Sequence, residues 1–369
     1  MKLSISRDEL TRALFRVQGI VERKPVVPIN GHALLEAKNG RLHLSATDGE
    51  VSLSGIHEAQ IATKGAVAVA ARQLYDIVRS LPAGELSLQT RDKAFLELKT
   101  EASEFRLATL PADTFPSLPS AKASDTWKLD AGLLVRMVER TLFCVSPDES
   151  RVSLSGVYFE LQPSGEVRLV ATDGHRLAMA EGARLEGQGD VQNFLVPKKG
   201  LTELRRLLSN KPEDGTVQVG ILRHAAVFSC DGVTLTTKLL DAAFPDYRQV
   251  VPEGGDKKAV VERGPFTDAL KRVSILSQAK SHGVRLTFGE GLLVLEAEDV
   301  DLGDAREQMP VSYTGEKVAV GFNARYLLDA LALMDRGQVE VTLSDELSPA
   351  ILRPHEAGGF TAVVMPMRV

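Results

Sequence analysis

Hydrophobic and polar positions along this 369-residue chain repeat in the same order three times. Each cycle predicts a short alternating strand, an amphipathic helix, several short strands, a second helix and closing strands. The first helices are predicted from about Arg7 to Gly19, from about Ala131, and near Pro265, which is tolerated in a first helical turn. The repeated order predicts three units of similar structure, which we call the first, second and third repeats.

The second helices of the three repeats align position by position. A basic residue, a leucine and an acidic residue recur in the same order in each of them. The basic residues are Arg72, Lys199 and Arg325, the leucines are Leu74, Leu201 and Leu327, and the acidic residues are Asp76, Glu203 and Asp329. This agreement of charge and hydrophobic phase indicates a true threefold repeat.

A turn motif gives the length of one repeat. ATDGHRLAM begins at Ala171, ATDGEVSLS begins at Ala46, and the more divergent AEDVDLGDA begins at Ala297. The copies are therefore about 125 residues apart. A period of this size is typical of consecutive domains, since most domains contain between 50 and 250 residues.

The motif and the helix pattern together predict the domain organisation. Each domain is predicted to contain two helices and about eight antiparallel strands, which is an α+β fold. Segments rich in small or charged residues predict linkers at 120–125 and 253–258. The predicted domains are residues 1–120, 126–252 and 257–369.

Positive charge is concentrated on the predicted helices. The chain has a net charge of −5, but its six helical segments carry +9 and the remainder −14. Arg12, Arg136 and Arg272 occupy one repeated position on the outer face of the first helices. A basic surface of this kind favours contact with a phosphate backbone, and no base-reading motif is present. The alternative is that these arginines lie on ordinary solvated helix faces.

The sequence contains no recognisable catalytic or metal-binding motif. Cys144 and Cys230 have no metal-ligand spacing, and the common nucleophile, phosphate-loop and zinc motifs are absent. Asp48 and Asp173 precede glycines, where aspartate is favoured for its turn hydrogen bonds. His175 has three interpretations: a turn residue, the wall of a binding pocket, or a catalytic residue. We predict a protein that is not an enzyme and that has no cofactor and no metal.

The two ends of the sequence predict location and one further binding surface. MKLSISRDEL at the start contains no hydrophobic signal core, and no apolar run has the length of a membrane span. A cytoplasmic protein without membrane association is therefore predicted. VVMPMRV over residues 363–369 is either the final strand of a core or an adaptable apolar groove for extended peptides.

Three motifs in this order resemble one family over essentially the whole chain. ATDGHRLA from Ala171, FPDYR with the following VVP from Phe244, and VVMPMR from Val363 are similar to the bacterial replicative sliding clamps, the beta subunits of DNA polymerase III. The resemblance implies a DNA clamp fold in which two three-domain chains close head to tail into a ring. Helices would line the hole around double-stranded DNA, bound independently of sequence, and strands would form the rim.

The resemblance also implies which residues have functional roles. A pocket between the second and third domains would bind short hydrophobic motifs of the clamp loader, the replicative polymerase and repair proteins through Leu154, Thr172, Gly174, His175, Arg176, Leu177, Pro245, Val250, Val363, Val364, Met365, Pro366, Met367 and Arg368. DNA would face Arg12, Arg16, Lys24, Arg72, Arg79, Arg136, Arg140, Lys198, Lys199, Arg205, Arg206, Arg272 and Arg325. Phe105, Ile275 and Leu276 would form the apolar core of the homodimer interface.

Some positions depart from the family pattern, and two other functions remain open. Gln249 stands where relatives often have a second arginine, and Val152 and Ser153 replace an aromatic pair that some relatives use near DNA. The first alternative function is a peptide-binding repeat scaffold that does not depend on DNA. The second is a hydrolase that uses Asp173 and His175.

Overall fold

The computed structural model describes residues 1–92, 94–119, 126–161, 165–184, 193–209, 215–251, 255–278, 281–335, 337–356 and 358–369. The described residues divide into two compact units. The first unit contains those in 1–132 and 199–239, and the second contains those in 133–184, 193–198 and 240–369. The predicted linker at 120–125 and part of the linker at 253–258 lie outside the described residues.

The first repeat contains two helices and nine strands among its described residues. Its helices are α1 (Arg7–Val17) and α2 (Ala71–Ser80). Its strands are β1 (Lys2–Ser6), β2 (His32–Lys38), β3 (Arg41–Thr47), β4 (Val51–Glu58), β5 (Gln60–Thr63), β6 (Gly65–Ala70), β7 (Glu85–Arg91), β8 (Phe95–Lys99) and β9 (Glu104–Leu110).

The second and third repeats each contain two helices and eight strands in the described part of the chain. The second repeat has α3 (Ala131–Leu142), α4 (Lys198–Leu208), β10 (Thr126–Asp130), β11 (Gly156–Leu161), β12 (Glu166–Thr172), β13 (Arg176–Arg184), β14 (Phe194–Pro197), β15 (Thr216–Leu222), β16 (Ala225–Cys230) and β17 (Val233–Lys238). The third has α5 (Arg263–Val273), α6 (Ala324–Ala332), β18 (Lys257–Glu262), β19 (Gly283–Gly289), β20 (Leu292–Asp299), β21 (Gly303–Pro310), β22 (Val318–Asn323), β23 (Gln338–Leu343), β24 (Ala350–Pro354) and β25 (Phe360–Val364).

The first helices of the repeats begin where the sequence pattern predicts. Ser6 caps α1 by accepting a hydrogen bond from the Glu9 amide at 3.2 Å. The buried face of α1 consists of Leu10, Ala13, Leu14 and Val17. α1 ends at Val17, two residues before the predicted Gly19. The prediction of two helices with mostly antiparallel strands in each repeat is therefore confirmed.

An arginine links the two helices in the first and the third repeat. Arg7 donates to the carbonyl oxygen of Arg79 in the last turn of α2 at 2.8 Å. Arg263 donates in the same way to the carbonyl oxygen of Leu331 at 3.2 Å. A cation at the carboxyl end of a helix satisfies a terminal carbonyl and is favoured by the helix dipole. The second repeat has Ala131 at this position.

In the first compact unit, one thirteen-stranded sheet joins the first repeat to the second. Its order is β10-β15-β16-β17-β4-β3-β2-β6-β9-β8-β7-β1-β5. The joining pair is antiparallel, with Val51 of β4 opposite Thr237 of β17. The closing strand of the second repeat therefore continues the sheet of the first.

The second compact unit repeats this arrangement between the second and third repeats. An eight-stranded sheet has the order β14-β11-β12-β13-β25-β24-β23-β18, and a four-stranded sheet has the order β21-β20-β19-β22. The joining pair in the larger sheet places Arg176 of β13 opposite Val364 of β25. Val363 and Val364 are buried in this final strand. Residues 363 and 364 thus complete a core, as one of the two interpretations of VVMPMRV predicts.

Candidate functional site

The ATDGHR motif forms a tightly hydrogen-bonded turn between β12 and β13. The hydroxyl of Thr172 accepts from the Gly174 amide at 3.1 Å and donates to the carbonyl oxygen of Arg176 at 2.7 Å. Oδ1 of Asp173 accepts from the amides of His175 and Arg176 at 2.9 and 3.1 Å. Gly174 has a φ of 92°, a conformation that favours glycine. The residue types of the motif are therefore explained by the backbone geometry of the turn, without any catalytic role.

The first and third repeats contain related turns. Oδ1 of Asp48 accepts from the amides of Glu50 and Val51 at 2.8 and 2.7 Å. Oδ1 of Asp299 accepts from the amides of Asp301 and Leu302 at 2.9 and 3.1 Å. The recurring aspartate therefore organises a turn in all three repeats, since a short carboxylate can bond the backbone two residues ahead.

The second compact unit contains a cavity of about 670 Å³ beside the ATDGHR turn. This volume is in the range of small-molecule and peptide side-chain sites. The cavity is bounded by the turn, by the segments around residues 152 and 246, and by the end of β25. Its lining residues are Ser150, Arg151, Val152, Ser153, Leu154, Thr172, Gly174, Arg176, Leu177, Ala242, Pro245, Asp246, Tyr247, Val250, Val363 and Met365.

The structure brings nine of the fourteen predicted pocket residues together around this cavity. They are Leu154, Thr172, Gly174, Arg176, Leu177, Pro245, Val250, Val363 and Met365. The five that do not line it are His175, Val364, Pro366, Met367 and Arg368.

Strand and turn geometry account for the residues that lie elsewhere. Neighbouring side chains of a strand point to opposite faces, so Val363 lines the cavity while Val364 is buried on the other side. His175 is exposed, and its ring is 6.5 Å from that of Tyr326. The Met367 amide donates to the carbonyl oxygen of Gly321 at 2.8 Å, which directs the last residues away from the cavity.

The predicted pocket set lacks seven of the lining residues, which are Ser150, Arg151, Val152, Ser153, Ala242, Asp246 and Tyr247. Arg151 donates to the carbonyl oxygen of Asp173 at 2.9 Å and lies against Gly174, where a Cβ atom would be 3.0 Å from its guanidinium. The signal for Arg151 was its position directly before the unusual Val152. Tyr247 belongs to the FPDYR motif, of which the predicted set contains only Pro245.

Arg176 connects several elements beneath the cavity. Its guanidinium donates to Asp173 at 3.0 Å, to Asp329 of α6 at 2.5 Å and to the carbonyl oxygen of Phe143 at 3.0 Å. Burial lowers the pKa of Arg176, but the hydrogen bonds to Asp329 and Asp173 outweigh it, and the net pKa is raised. Because all of these bonds are made within the chain, Arg176 orients the turn in addition to lining the cavity.

A buried carboxylate, Glu160, is hydrogen-bonded to Tyr247, which forms part of the cavity wall. Glu160 is 4% exposed, and its Oε2 accepts a hydrogen bond from the Tyr247 hydroxyl at 2.5 Å. Arg168 donates to that hydroxyl at 2.9 Å and to Glu160 at 3.3 Å, and Arg248 also pairs with Glu160. Burial and the bond to Glu160 raise the pKa of Tyr247 to about 12. The Tyr247 hydroxyl is therefore protonated and donates to Glu160 throughout the physiological range.

The predicted DNA-facing residues fall into two groups, those whose side chains have a partner within the chain and those whose side chains have none among the described residues. The first group is as follows. Arg12 pairs with Glu9, Lys199 with Asp48, Arg206 with Glu203, Arg272 with Glu307 and Arg140 with Asp335. Arg72 donates to the carbonyl oxygen of Gln18 at 3.2 Å, and Arg79 lies 5.9 Å from the ring centre of Tyr75. Lys198 is exposed and also has an interaction partner.

The second group has no side-chain hydrogen bond, ion pair or ring contact with any residue that the structure describes. It consists of Arg16, Lys24, Arg136, Arg205 and Arg325. All except Arg16, which is half-buried, are exposed. Unpaired cations are the stronger candidates for a phosphate contact, because no existing salt bridge has to be broken.

The three predicted interface residues lie in two elements, β9 of the first repeat and a short helix that follows α5 in the third. Ile275 is 72% exposed and, with the half-buried Leu276, belongs to a short 3₁₀ helix, Ser274–Leu276, that follows α5. α5 and this helix pack against β20 and β21. Phe105 is half-buried on β9. A single exposed isoleucine is common on protein surfaces, so the interface assignment stays a prediction.

Neither a metal cluster nor a membrane span is found in the residues that the structure describes. No group of three or more His, Cys, Asp or Glu side chains there could hold a metal ion. No described helix is long and apolar enough to cross a membrane. Burial raises the pKa of the Cys144 thiol well above its usual value, so that this cysteine is a poor nucleophile.

The fold and the cavity define a three-repeat α+β protein of the clamp type. Family models of the DNA polymerase III beta subunit match consecutively: the N-terminal domain at 1–119, the central domain at 128–246 and the C-terminal domain at 248–368. The chain therefore belongs to the DNA polymerase III beta subunit family, the beta sliding clamps.

Individual relatives agree with this assignment. The beta sliding clamp of Pseudomonas putida is 38% identical over 370 residues, and that of Escherichia coli K12 is 34% identical over 377, with full coverage of both chains in each case. A crystal structure of the Pseudomonas aeruginosa sliding clamp bound to griselimycin has a TM-score of 0.95 at 36% identity. The Caulobacter crescentus beta sliding clamp has a TM-score of 0.95 at 37% identity, and both structures are covered completely.

Proposed function

We propose that this chain is a DNA sliding clamp for processive synthesis. Two copies close head to tail into a ring around duplex DNA, and the 670 Å³ cavity binds short hydrophobic motifs of the replicative polymerase, the clamp loader and repair proteins. The ring remains on DNA because it is closed, so it needs no tight or sequence-specific contact. The proposed role involves no catalysis.

The observation that carries the proposal is the pairing of strands between repeats. β17 pairs with β4, and β25 pairs with β13, in the same antiparallel manner. In the third repeat the equivalent of β4 and β13 is β21, which follows the related turn and is the edge strand of its sheet. Among the described strands, β21 pairs only with β20.

The first repeat has the complementary free edge. Its β9 is the equivalent of β17 and β25, because each follows a hairpin at the end of its repeat. β9 pairs with β8 along its length but with β6 only at Thr109 and Leu110, as far as the described residues show. A second copy can therefore pair its β9 with β21 of the first copy, and the reverse contact closes the ring. Closure removes both open edges, which would otherwise favour uncontrolled association.

The distribution of charge supports duplex DNA as the enclosed ligand. The helices carry most of the excess positive charge, and the remainder of the chain is acidic. Phosphate attraction is long-ranged and independent of base sequence, so a basic lining holds DNA without fixing its position. An acidic exterior disfavours non-specific binding of DNA outside the ring.

The salt dependence of DNA retention tests the contribution of the unpaired cations. Replacing Arg136 and Arg205 together by glutamine should reduce the slope of log Kd against log salt concentration by about 2, since each phosphate contact contributes about 0.9. The measurement is the binding of labelled duplex DNA across a salt series. An equal change to an exposed arginine outside the helices, Arg223→Gln, is the matched control and should leave the slope nearly unchanged.

Two results would contradict this assignment. An unchanged slope in the Arg136→Gln, Arg205→Gln variant would show that these helix surfaces do not face DNA. A salt-independent wild-type interaction, or none, would favour the DNA-independent peptide-binding scaffold instead.

The cavity is chemically suited to an extended peptide with large apolar side chains. Leu154, Leu177, Val250, Val363 and Met365 give it aliphatic walls, and methionine adapts its shape to different partners. Arg151 and the backbone of the ATDGHR turn provide polar groups that can orient a peptide. This combination supports recognition of several related motifs by one site.

A further inference from the structure

The junction of the first and second repeats contains a smaller cavity at the position equivalent to the 670 Å³ cavity. Val51 is opposite Thr237 in the first junction as Arg176 is opposite Val364 in the second. The Lys238 amide donates to the carbonyl oxygen of Glu50 at 2.9 Å, as the Met365 amide donates to that of His175 at 2.9 Å. The backbone pairing is therefore equivalent at the two junctions. The cavity at the first junction nevertheless measures only about 200 Å³.

The wall formed by the end of each domain differs between the two junctions. FPSL begins at Phe115 in the first repeat and FPDY begins at Phe244 in the second, so Leu118 corresponds to Tyr247. Both residues line their respective cavities. Leu118 has no polar group in its side chain, whereas the Tyr247 hydroxyl is hydrogen-bonded to Glu160 and Arg168.

The carboxylate itself occurs in both repeats. Glu160 is opposite Arg168 in the pair of β11 and β12, and Glu36 is opposite His43 in the pair of β2 and β3. In the first repeat Glu36 pairs with Lys38 at 2.8 Å. The shared position therefore has different partners in the two repeats, since Glu160 accepts from the Tyr247 hydroxyl at 2.5 Å whereas Glu36 pairs with Lys38.

We propose that Glu160 and Arg168 are positioning residues that hold Tyr247 and thereby keep the larger cavity open. They do not line the cavity, and they act on it only through the Tyr247 ring. The inference rests on the proposed function, because it gives these residues a part in binding the partner peptide.

The surrounding contacts explain why the hydroxyl determines the shape of the wall. Phe244 stacks on Tyr158 with ring centres 5.0 Å apart, which fixes the start of the wall segment. Tyr247 packs with Val170, Leu177 and Val363, and its ring also contacts Phe244 edge-on and the Arg248 guanidinium. Without the hydroxyl bond, only these ring contacts would limit its rotation. The loss would also leave the buried Glu160 with one partner fewer, which is costly for a carboxylate.

The test compares two single-hydroxyl deletions in the full chain. Tyr247→Phe should raise the Kd of a fluorescein-labelled synthetic peptide containing two leucines and a phenylalanine by about tenfold, mainly through faster dissociation. Tyr158→Phe removes the same atom from the same aromatic cluster but outside the Glu160 network, and should change Kd less than about twofold. Fluorescence anisotropy is measured well below the lowest Tm, so that all variants are fully folded.

Further variants separate positioning from general stability. Glu160→Gln should weaken peptide binding in the same direction but less than Tyr247→Phe, because its neutral amide oxygen is a weaker acceptor for the Tyr247 hydroxyl and no longer pairs with Arg168. The double variant with Tyr247→Phe should be no weaker than the worse single variant, since both changes act on the same hydrogen bond. Glu160→Gln also provides the result if Tyr247→Phe fails to fold. Arg168→Lys should retain part of the affinity, because a cation remains near Glu160 and the hydroxyl.

The outcomes distinguish the two proposals. If wild-type protein does not bind the peptide, the proposed peptide-binding function is wrong. If wild type binds and Tyr247→Phe lowers Tm but leaves both Kd and the dissociation rate unchanged, the network only stabilises the fold and the positioning inference is wrong. Fully additive effects of Glu160→Gln and Tyr247→Phe would also overturn it.

Discussion

Replacement of Ile275 and Leu276 by alanine is expected to convert a dimer into monomers at micromolar concentration. Ile275 is 72% exposed in the single chain, so its removal leaves no internal cavity and should hardly affect folding. In the proposed ring both side chains are buried against the partner, where each truncated hot-spot residue costs about 2 kcal/mol or more. The dimer Kd should therefore rise at least about a hundredfold.

Sedimentation velocity over a range of protein concentrations measures this change directly. Leu347→Ala is the matched control, since Leu347 is 81% exposed but lies in the turn between β23 and β24. The control should sediment as wild type does. The double variant should also be lost from circular DNA while its isolated chains still bind the partner peptide. A dimer of unaltered affinity would disprove the interface assignment.

A charge at the cavity edge is expected to abolish partner binding without affecting DNA. Met365 is 36% exposed and lines the cavity, so Met365→Asp is tolerated by the folded chain but places a carboxylate against the apolar part of a bound peptide. Burial of an unpaired charge costs several kcal/mol, and the peptide Kd should rise by about a hundredfold or more. Fluorescence anisotropy with the labelled peptide measures the change.

Leu292→Asp provides the comparison for this experiment. Leu292 is 39% exposed, almost the same as Met365, but lies at the start of β20 and outside the cavity. It should retain wild-type peptide affinity. Both variants should remain dimeric and stay on circular DNA. Wild-type affinity in Met365→Asp would exclude this cavity as the partner site.

Local patterns allowed the fold to be predicted because each repeat uses the same short-range chemistry. The aspartates of the three turns bond amides two and three residues ahead, and the Ser6 cap bonds the amide three residues ahead. The spacing of the apolar residues in α1 likewise predicts which face of the helix is buried. Such relations are visible in one sequence, and their recurrence at a fixed interval predicted the number of units.

The cavity could be predicted only in part because its walls depend on distant partners. Tyr247 bonds Glu160, which is 87 residues earlier, and Arg176 bonds Asp329, which is 153 residues later. No spacing rule connects such positions, so Tyr247 and Arg151 were missed. The likeness to known clamps supplied Leu154, Pro245 and others. It also supplied His175, whose ring is 6.5 Å from that of Tyr326 and which is not among the residues that line this cavity.

Charge alone could not show which cations are free. Arg72 and Arg325 occupy one repeated position, but Arg72 bonds a carbonyl oxygen of the segment after α1, while Arg325 is exposed and unpaired among the described residues. Equivalent sequence positions therefore do not guarantee equivalent roles. The local acceptors that distinguish them come from loops whose sequences differ among the repeats.

Retention on DNA before and after a single cut tests the central claim most directly. The wild-type chain is placed on a nicked circular plasmid by a bacterial clamp loader, separated from free protein by gel filtration, and then treated with an enzyme that linearises the plasmid once. A closed ring should remain with the circle at a salt concentration that screens phosphate attraction, and should be lost from the linear product by sliding off its ends. Equal retention on circular and linear DNA, or no retention on the circle, would contradict the account.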